Sequence, residues 1–120
     1  MDAPVVAVVI PAYRVRTHIL SLLARIGSEV GLIFVVDDAC PEGSGAHVLA
    51  ECHDRRVVVL VHGQNQGVGG AAITGYQHAV AAGADVIVKL DGDGQMDPAL
   101  ISRFVAPILQ GRADYVKGNR

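Results

Sequence analysis

Apolar residues fall in four short continuous runs, at 5–10, 32–36, 57–61 and 86–90, each rich in branched aliphatic side chains. A run of this kind, with no polar alternation, predicts a strand covered on both faces, as in a parallel sheet. Helical spacing fills the gaps between them. Residues 17–26 carry Ile19, Leu20, Leu22, Leu23 and Ile26 as one stripe. Residues 44–52 predict a short helix with Ser44 as N-cap and with His47 and Glu51 outward. Residues 68–82 offer Ala71, Ala72, Tyr76, Ala79 and Val80 for one face. A further helix is predicted over 98–109, with Asp97 as N-cap and Pro98 in its first position. Residues 114–117 begin another strand.

Strand and helix thus alternate along the whole chain. That order predicts an α/β fold, a Rossmann-like doubly wound and mostly parallel sheet with right-handed crossovers. Such sheets bind ligands beyond the carboxyl ends of their strands, near the point where strand order reverses. The first run is followed by Pro11, Ala12 and Tyr13, the second by Asp37 and Asp38, and the third by His62, Gly63, Gln64 and Asn65. The fourth is followed by Asp91, Gly92, Asp93, Gly94 and Gln95. Polar and acidic groups therefore converge on one rim.

Composition narrows the classes. With 120 residues the chain makes one domain, and 51% hydrophobic against 18% charged residues argues against disorder. A net charge of −2 lacks the electrostatic footprint of a nucleic-acid binder. No apolar run reaches the ~18 residues of a membrane span, and Asp2 stands where a secretory leader would need a cation. These features predict a cytoplasmic domain. Cys40 and Cys52 have no metal-knuckle spacing and read as free thiols of a reducing compartment. The five histidines show no zinc-binding pattern and read as structural or solvent-facing.

At the rim, Asp91 and Asp93 are two apart, which in extended chain puts both side chains on one side with Cα atoms roughly 6.5 Å apart. With the Gln95 amide oxygen they form a hard oxygen set suited to Mg2+ or Mn2+. Gly92 and Gly94 let a diphosphate approach the backbone. The plain alternative is an acidic turn leading into the Asp97–Pro98 helix start. Asp37 and Asp38 can accept hydrogen bonds from a nucleobase or ribose, or simply cap their loop. Tyr13 can stack on a base or pack at the rim. Residues 67–72 match G-x-G-x-x-A, but after the third strand rather than the first, and read as a helix start brought close to a neighbouring backbone or ligand.

Taken in order, VVIPAY, VVDDACPEGSG, NQGVGGA, KLDGDGQMDP and ADYVKGNR resemble the family 2 inverting glycosyltransferases, and within them the polyprenyl-phosphate (dolichyl-phosphate mannose-type) sugar transferases. The likeness runs from Val5 to Arg120. It implies the N-terminal half of a GT-A fold, a UDP- or GDP-sugar donor, Mg2+ or Mn2+, and a polyprenyl-phosphate acceptor met at the cytoplasmic membrane face. On that resemblance Pro11 and Tyr13 flank the base, while Val36 and Asp38 form the base- and ribose-binding strand end. Asp91, Gly92 and Asp93 match the D-x-D motif, and Gln95 a further metal ligand. Ala12 and Asn65, beside them on the rim, are assigned to the same nucleotide-sugar site. Arg14 and Val15 stand where the family often has Asn and an acid, and the familiar D-D-G-S run reads Asp37-Asp38-Ala39-Cys40. Family catalytic domains run to about twice this length, so residues 1–120 are expected to be a donor-binding portion truncated at its C-terminus, with no catalytic base to name. Two other readings compete: an NAD-binding oxidoreductase domain through residues 67–72, and a phospho-receiver domain with Asp91 as acceptor.

Overall fold

A computed structural model describes residues 4–91 and the strand Tyr115–Lys117. The helix expected over 98–109, and Gly92, Asp93 and Gln95, lie outside the described residues. Strands β1 (Val6–Ala12), β2 (Leu32–Asp37), β3 (Val57–Val61), β4 (Val86–Lys89) and β5 (Tyr115–Lys117) form one sheet in the order β3-β2-β1-β4-β5. Every pairing is parallel. The chain steps outward from β1 to β3 through helices α1 (Arg16–Ala24) and α2 (Ser44–Glu51). Helix α3 (Gly67–Ala81) then crosses back and sets β4 on the far side of β1. Strand order therefore reverses between the carboxyl ends of β1 and β4, and the doubly wound expectation holds.

The continuous apolar run of β1 serves two cores, because successive side chains point to opposite faces. Val6, Val8, Ile10 and Ala12 pack with Ile33 and Val35 beneath Ile19, Leu22 and Leu23 of α1 and Val48 of α2. Ala7 and Val9 pack with Phe34 and Ala79 on the α3 side. There α3 lies so close that a Cβ at Gly75 would overlap the Val9 side chain. The expected burial of Val80 fails for the same reason. The helix seats its small residues, Ala71, Ala72, Gly75 and Ala79, and leaves Val80 65% exposed.

Three further expectations change in detail. Strand β1 continues through Pro11 and Ala12, which pair with Val36 and Asp37. The Leu90 N–H donates to the Val9 carbonyl, so odd residues of β1 bond toward β4. Pro11 comes two residues later, beyond the last pair, Val9 with Lys89, so its missing N–H costs no ladder bond. Helix α2 is capped by Gly43, at φ 68°, rather than Ser44. Ser44 is buried instead, and its Oγ accepts the Val15 N–H at 3.3 Å. Finally, β3 lies at the sheet edge, and Val58 and Val61 are exposed, so coverage on both faces fails for β3 and holds for β1, β2 and β4. Cys40 and Cys52 are free thiols, as expected.

At the amino-terminal end of the sheet, Arg56 donates to the carbonyls of Ile26, Gly27 and Val30 and pairs with Asp54 at 2.7 Å. One guanidinium thus ties the α1–β2 connection to the start of β3. Arg56→Ala is expected to cost about 2 kcal/mol in urea unfolding, since each charge-assisted bond is partly replaced by water. Arg56→Lys should recover little, because an ammonium cannot span the same carbonyls.

Candidate functional site

At the switch point the carboxyl ends of the strands enclose a pocket of about 460 Å3. Its walls come from four segments: Pro11 and Ala12 at the end of β1 with Tyr13 and Val15 beyond it, Asp38 after β2, Asn65, Gly67, Val68 and Ala71 at the start of α3, and Asp91 after β4. Of the residues assigned from sequence, the fold brings Pro11, Ala12, Tyr13, Asp38, Asn65 and Asp91 together. Val36 is fully buried within β2 and is not part of the wall. Gly67, Val68 and Ala71 belong to the helix start read from sequence as lying close to a backbone or ligand; Val15 was not assigned to the site, and its place on the rim depends on how α1 approaches.

Asp37 and Asp38 divide their work because adjacent residues point to opposite faces. Asp37 turns toward α2, where Oδ1 accepts the Cys40 N–H and Oδ2 the Gly45 N–H, both at 2.7 Å. Gly45 is glycine because a Cβ would sit 2.7 Å from Asp37 Oδ2. Asp37 therefore builds the loop rather than facing a ligand. Asp38 turns toward the pocket. Its Oδ1 accepts the Gln66 N–H at 2.7 Å and lies 2.8 Å from His62 Nδ1. Burial pushes the Asp38 carboxyl up, but the His62 side chain and the Gln66 and Gly67 N–H groups outweigh it, so the group is held below its ordinary value and stays ionised.

Asn65 braces the same corner, its Nδ2 donating to the Asp38 carbonyl at 3.1 Å and its Oδ1 accepting the Gly67 N–H at 3.2 Å. Opposite them, Tyr13 is 42% exposed with the Arg14 guanidinium 5.5 Å from its ring centroid. Arg14 adopts φ 58°, a left-handed conformation held by its N–H bond to Cys40 Sγ at 3.0 Å. One face of the ring thus meets a cation, a cation–π arrangement. On the last wall, Lys89 Nζ lies 3.4 Å from Asp91 Oδ1. The ammonium is buried, and Asp91 is the carboxylate beside it. Among the described residues no cluster of three or more His, Cys, Asp or Glu side chains could hold a metal.

The sequence pattern of Glycosyl transferase family 2 matches residues 7–120. The chain belongs to that family. As a family 2 glycosyltransferase it has the parallel α/β sheet of the GT-A, Rossmann-like type, and the dinucleotide and phospho-receiver readings give way to it. It is similar to an undecaprenyl-phosphate mannosyltransferase of Micrococcus luteus, 33% identical over 96% of this chain and 48% of that one. It is likewise similar to a polyprenol monophosphomannose synthase of Mycolicibacterium smegmatis, 32% identical over 94% of this chain and 44% of that one. A third relative, a UDP-N-acetylglucosamine–dolichyl-phosphate N-acetylglucosaminyltransferase of Methanococcus voltae, is 45% identical over 54% of this chain and 26% of its own length. This family 2 chain spans half or less of the length of these curated relatives.

Proposed function

We propose that residues 1–120 form the donor-binding part of a glycosyltransferase that takes a UDP- or GDP-sugar with a divalent metal and passes the sugar, with inversion, to a polyprenyl phosphate. The observation that supports this best is the convergence of an exposed aromatic ring, an ionised carboxylate, a helix start and a second carboxylate around one switch-point pocket. Tyr13 offers the ring face on which a base stacks. Asp38 accepts from the base or ribose. The first turn of α3 borders the pocket through Gly67 and Val68, with the Gln66 and Gly67 N–H groups already held by Asp38 and Asn65, and a helix N-terminus suits an anion.

Asp91 fits a divalent cation. It is a hard oxygen ligand at the pocket wall, and a cation that binds there takes the place of the Lys89 ammonium, 3.4 Å from Oδ1. Asp93 and Gln95, the other members of the sequence motif, would complete the set. A bound Mg2+ or Mn2+ supplies Lewis-acid stabilisation of the departing diphosphate. Pro11, Ala12 and Asn65 shape the wall, Gly92 gives the diphosphate room, and Val36 acts by backing the strand end from within β2. No helix among the described residues is long and apolar enough to cross a membrane, and we place the chain peripherally at the cytoplasmic membrane face, where a polyprenyl-phosphate acceptor lies.

Asp38→Ala is expected to weaken UDP or GDP binding by roughly ten- to a hundredfold in calorimetry, the equivalent of about 1.5–3 kcal/mol for a charge-assisted hydrogen bond. Mn2+ affinity measured without nucleotide should not change. Unaltered nucleotide affinity in this variant would remove Asp38 from the donor site.

A further inference from the structure

His62 was read from sequence as structural or solvent-facing, and the first holds: its side chain is buried between two elements that frame the pocket. Nδ1 lies 2.8 Å from Asp38 Oδ1 and Nε2 lies 2.8 Å from Thr74 Oγ1 on α3. Its side chain is 8% exposed and that of Asp38 is 4% exposed. We propose that His62 is a positioning residue for nucleotide recognition, fixing the Asp38 carboxylate so that its remaining lone pairs meet a donor group of the nucleoside. This rests on the donor-site reading above.

The proton count supports a fixed direction. An ionised carboxylate has no proton to give, so the proton between Asp38 and His62 sits on Nδ1. On the other side, the Thr74 hydroxyl lies 3.1 Å from the Gly70 carbonyl as well as 2.8 Å from Nε2. It can donate to Gly70 while accepting from Nε2–H, or donate to a bare Nε2. Both patterns are complete, and both keep Nδ1–H on Asp38. The bridge therefore points the same way whether or not Nε2 carries a proton.

The backbone around residue 62 is already anchored without this ring. Its N–H donates to the Asp37 carbonyl at 2.8 Å, and Asn65 and Gln66 tie the following loop to Asp38. The ring thus has its main effect on the carboxylate rather than on the loop. With Oδ1 taken by the Gln66 N–H and His62, and the Gly67 N–H also acting on the carboxylate, the direction in which Asp38 offers its remaining lone pairs to a ligand is set by two elements at once. A carboxylate held in this way selects a ring N–H or a ribose hydroxyl placed at one angle, and disfavours a ligand that brings an acceptor there.

The test is calorimetry of UDP and GDP, each with Mn2+, on the full 120-residue chain. His62→Phe, which keeps a flat ring and loses both nitrogens, should weaken binding about tenfold. His62→Gln, whose amide can still donate to Asp38, should restore most of that loss. Thr74→Val should weaken binding about threefold, because the Asp38 contact remains. Mn2+ affinity without nucleotide should be the same in all of them. Equal losses in the Phe and Gln variants would overturn the proposal, and so would an unweakened Phe variant beside a weakened Asp38→Ala. Failure of the wild-type chain to bind either nucleotide would overturn the donor-site reading itself, and this proposal with it. Nitrogen-15 spectra of the wild-type histidine rings give a check that needs no variant to fold. A protonated Nδ1 on His62 is expected, and a bare Nδ1 overturns the bridge.

Discussion

Replacing Mn2+ with EDTA should weaken the binding of UDP or GDP to this chain by several hundredfold. The pocket wall holds Asp38, kept ionised by its surroundings, and Asp91. A diphosphate brought beside two carboxylates meets repulsion in a partly enclosed space, where screening by water is weak. Among the described residues at the pocket, the charges available to oppose it are few. Lys89 is paired with Asp91, and Arg14 lies over the Tyr13 ring. A divalent ion on Asp91 reverses the local sign and bridges protein to phosphate, an effect worth about 3–4 kcal/mol, which corresponds to that loss of affinity. Asp91→Ala should reproduce the EDTA result, and adding EDTA to that variant should have little further effect. The thermal midpoint without nucleotide should change little on chelation, because Lys89 already balances Asp91 in the metal-free chain. Equal affinity with and without EDTA would take the metal out of the donor site.

Asp37→Ala should lower stability by about 3–5 kcal/mol. Asp37 is 5% exposed, and its two oxygens accept N–H groups from Cys40 and Gly45. Removing the carboxylate strands both donors, at about 1–3 kcal/mol each, and empties the space that glycine at position 45 was needed to leave open. Asp37→Asn keeps one acceptor oxygen in the same place and should cost about half as much. Urea unfolding of the three proteins gives the ranking. A penalty below about 1 kcal/mol for the alanine variant would mean that the loop finds other partners. Nucleotide affinity at low temperature should fall less in Asp37→Ala than in Asp38→Ala, since the two aspartates act on different sides of the sheet.

The contrast between these neighbours shows where sequence reading stops. Four apolar runs and their intervening stripes were enough to place β1 to β4 and α1 to α3 within a few residues, because burial on both faces leaves an unbroken hydrophobic signature. The same signature erases the period of two that would tell which way a given residue points. Val35 and Val36 are both fully buried, so nothing before Asp37 and Asp38 marks one as loop-facing and the other as pocket-facing. The gathering of Tyr13, Asp38, Asn65 and Asp91 was legible because topology alone carries strand ends to one rim. The His62 contact was not, since it depends on the turn after β3 and on the packing of α3. A polar ring directly after a strand at the ligand-binding rim was the one available signal. Ser44 misled for a different reason. The glycine before it adopts a left-handed conformation that ends the loop without help from a hydroxyl.

The strand order also has a consequence for synthesis of the chain. β1, β2 and β3 emerge first and are neighbours in sequence as well as in space, so they can pair as they leave the ribosome. β4 must then insert beside β1, with Val6 against Val86, the kind of distant contact that forms late because loop closure precedes any gain from it. Until then β1, the most deeply buried strand, presents a bare edge of hydrophobic backbone, a template for pairing with other chains. The interval between the emergence of residues 61 and 86 from the ribosome is therefore the vulnerable period, and the pocket is absent throughout it, because its Asp91 wall follows β4. A ribosome stalled with that stretch at the mouth of its exit tunnel would hold a species that binds no ligand and is prone to aggregate. Nucleotide cannot rescue such a species, whereas it can stabilise the chain once β4 has docked.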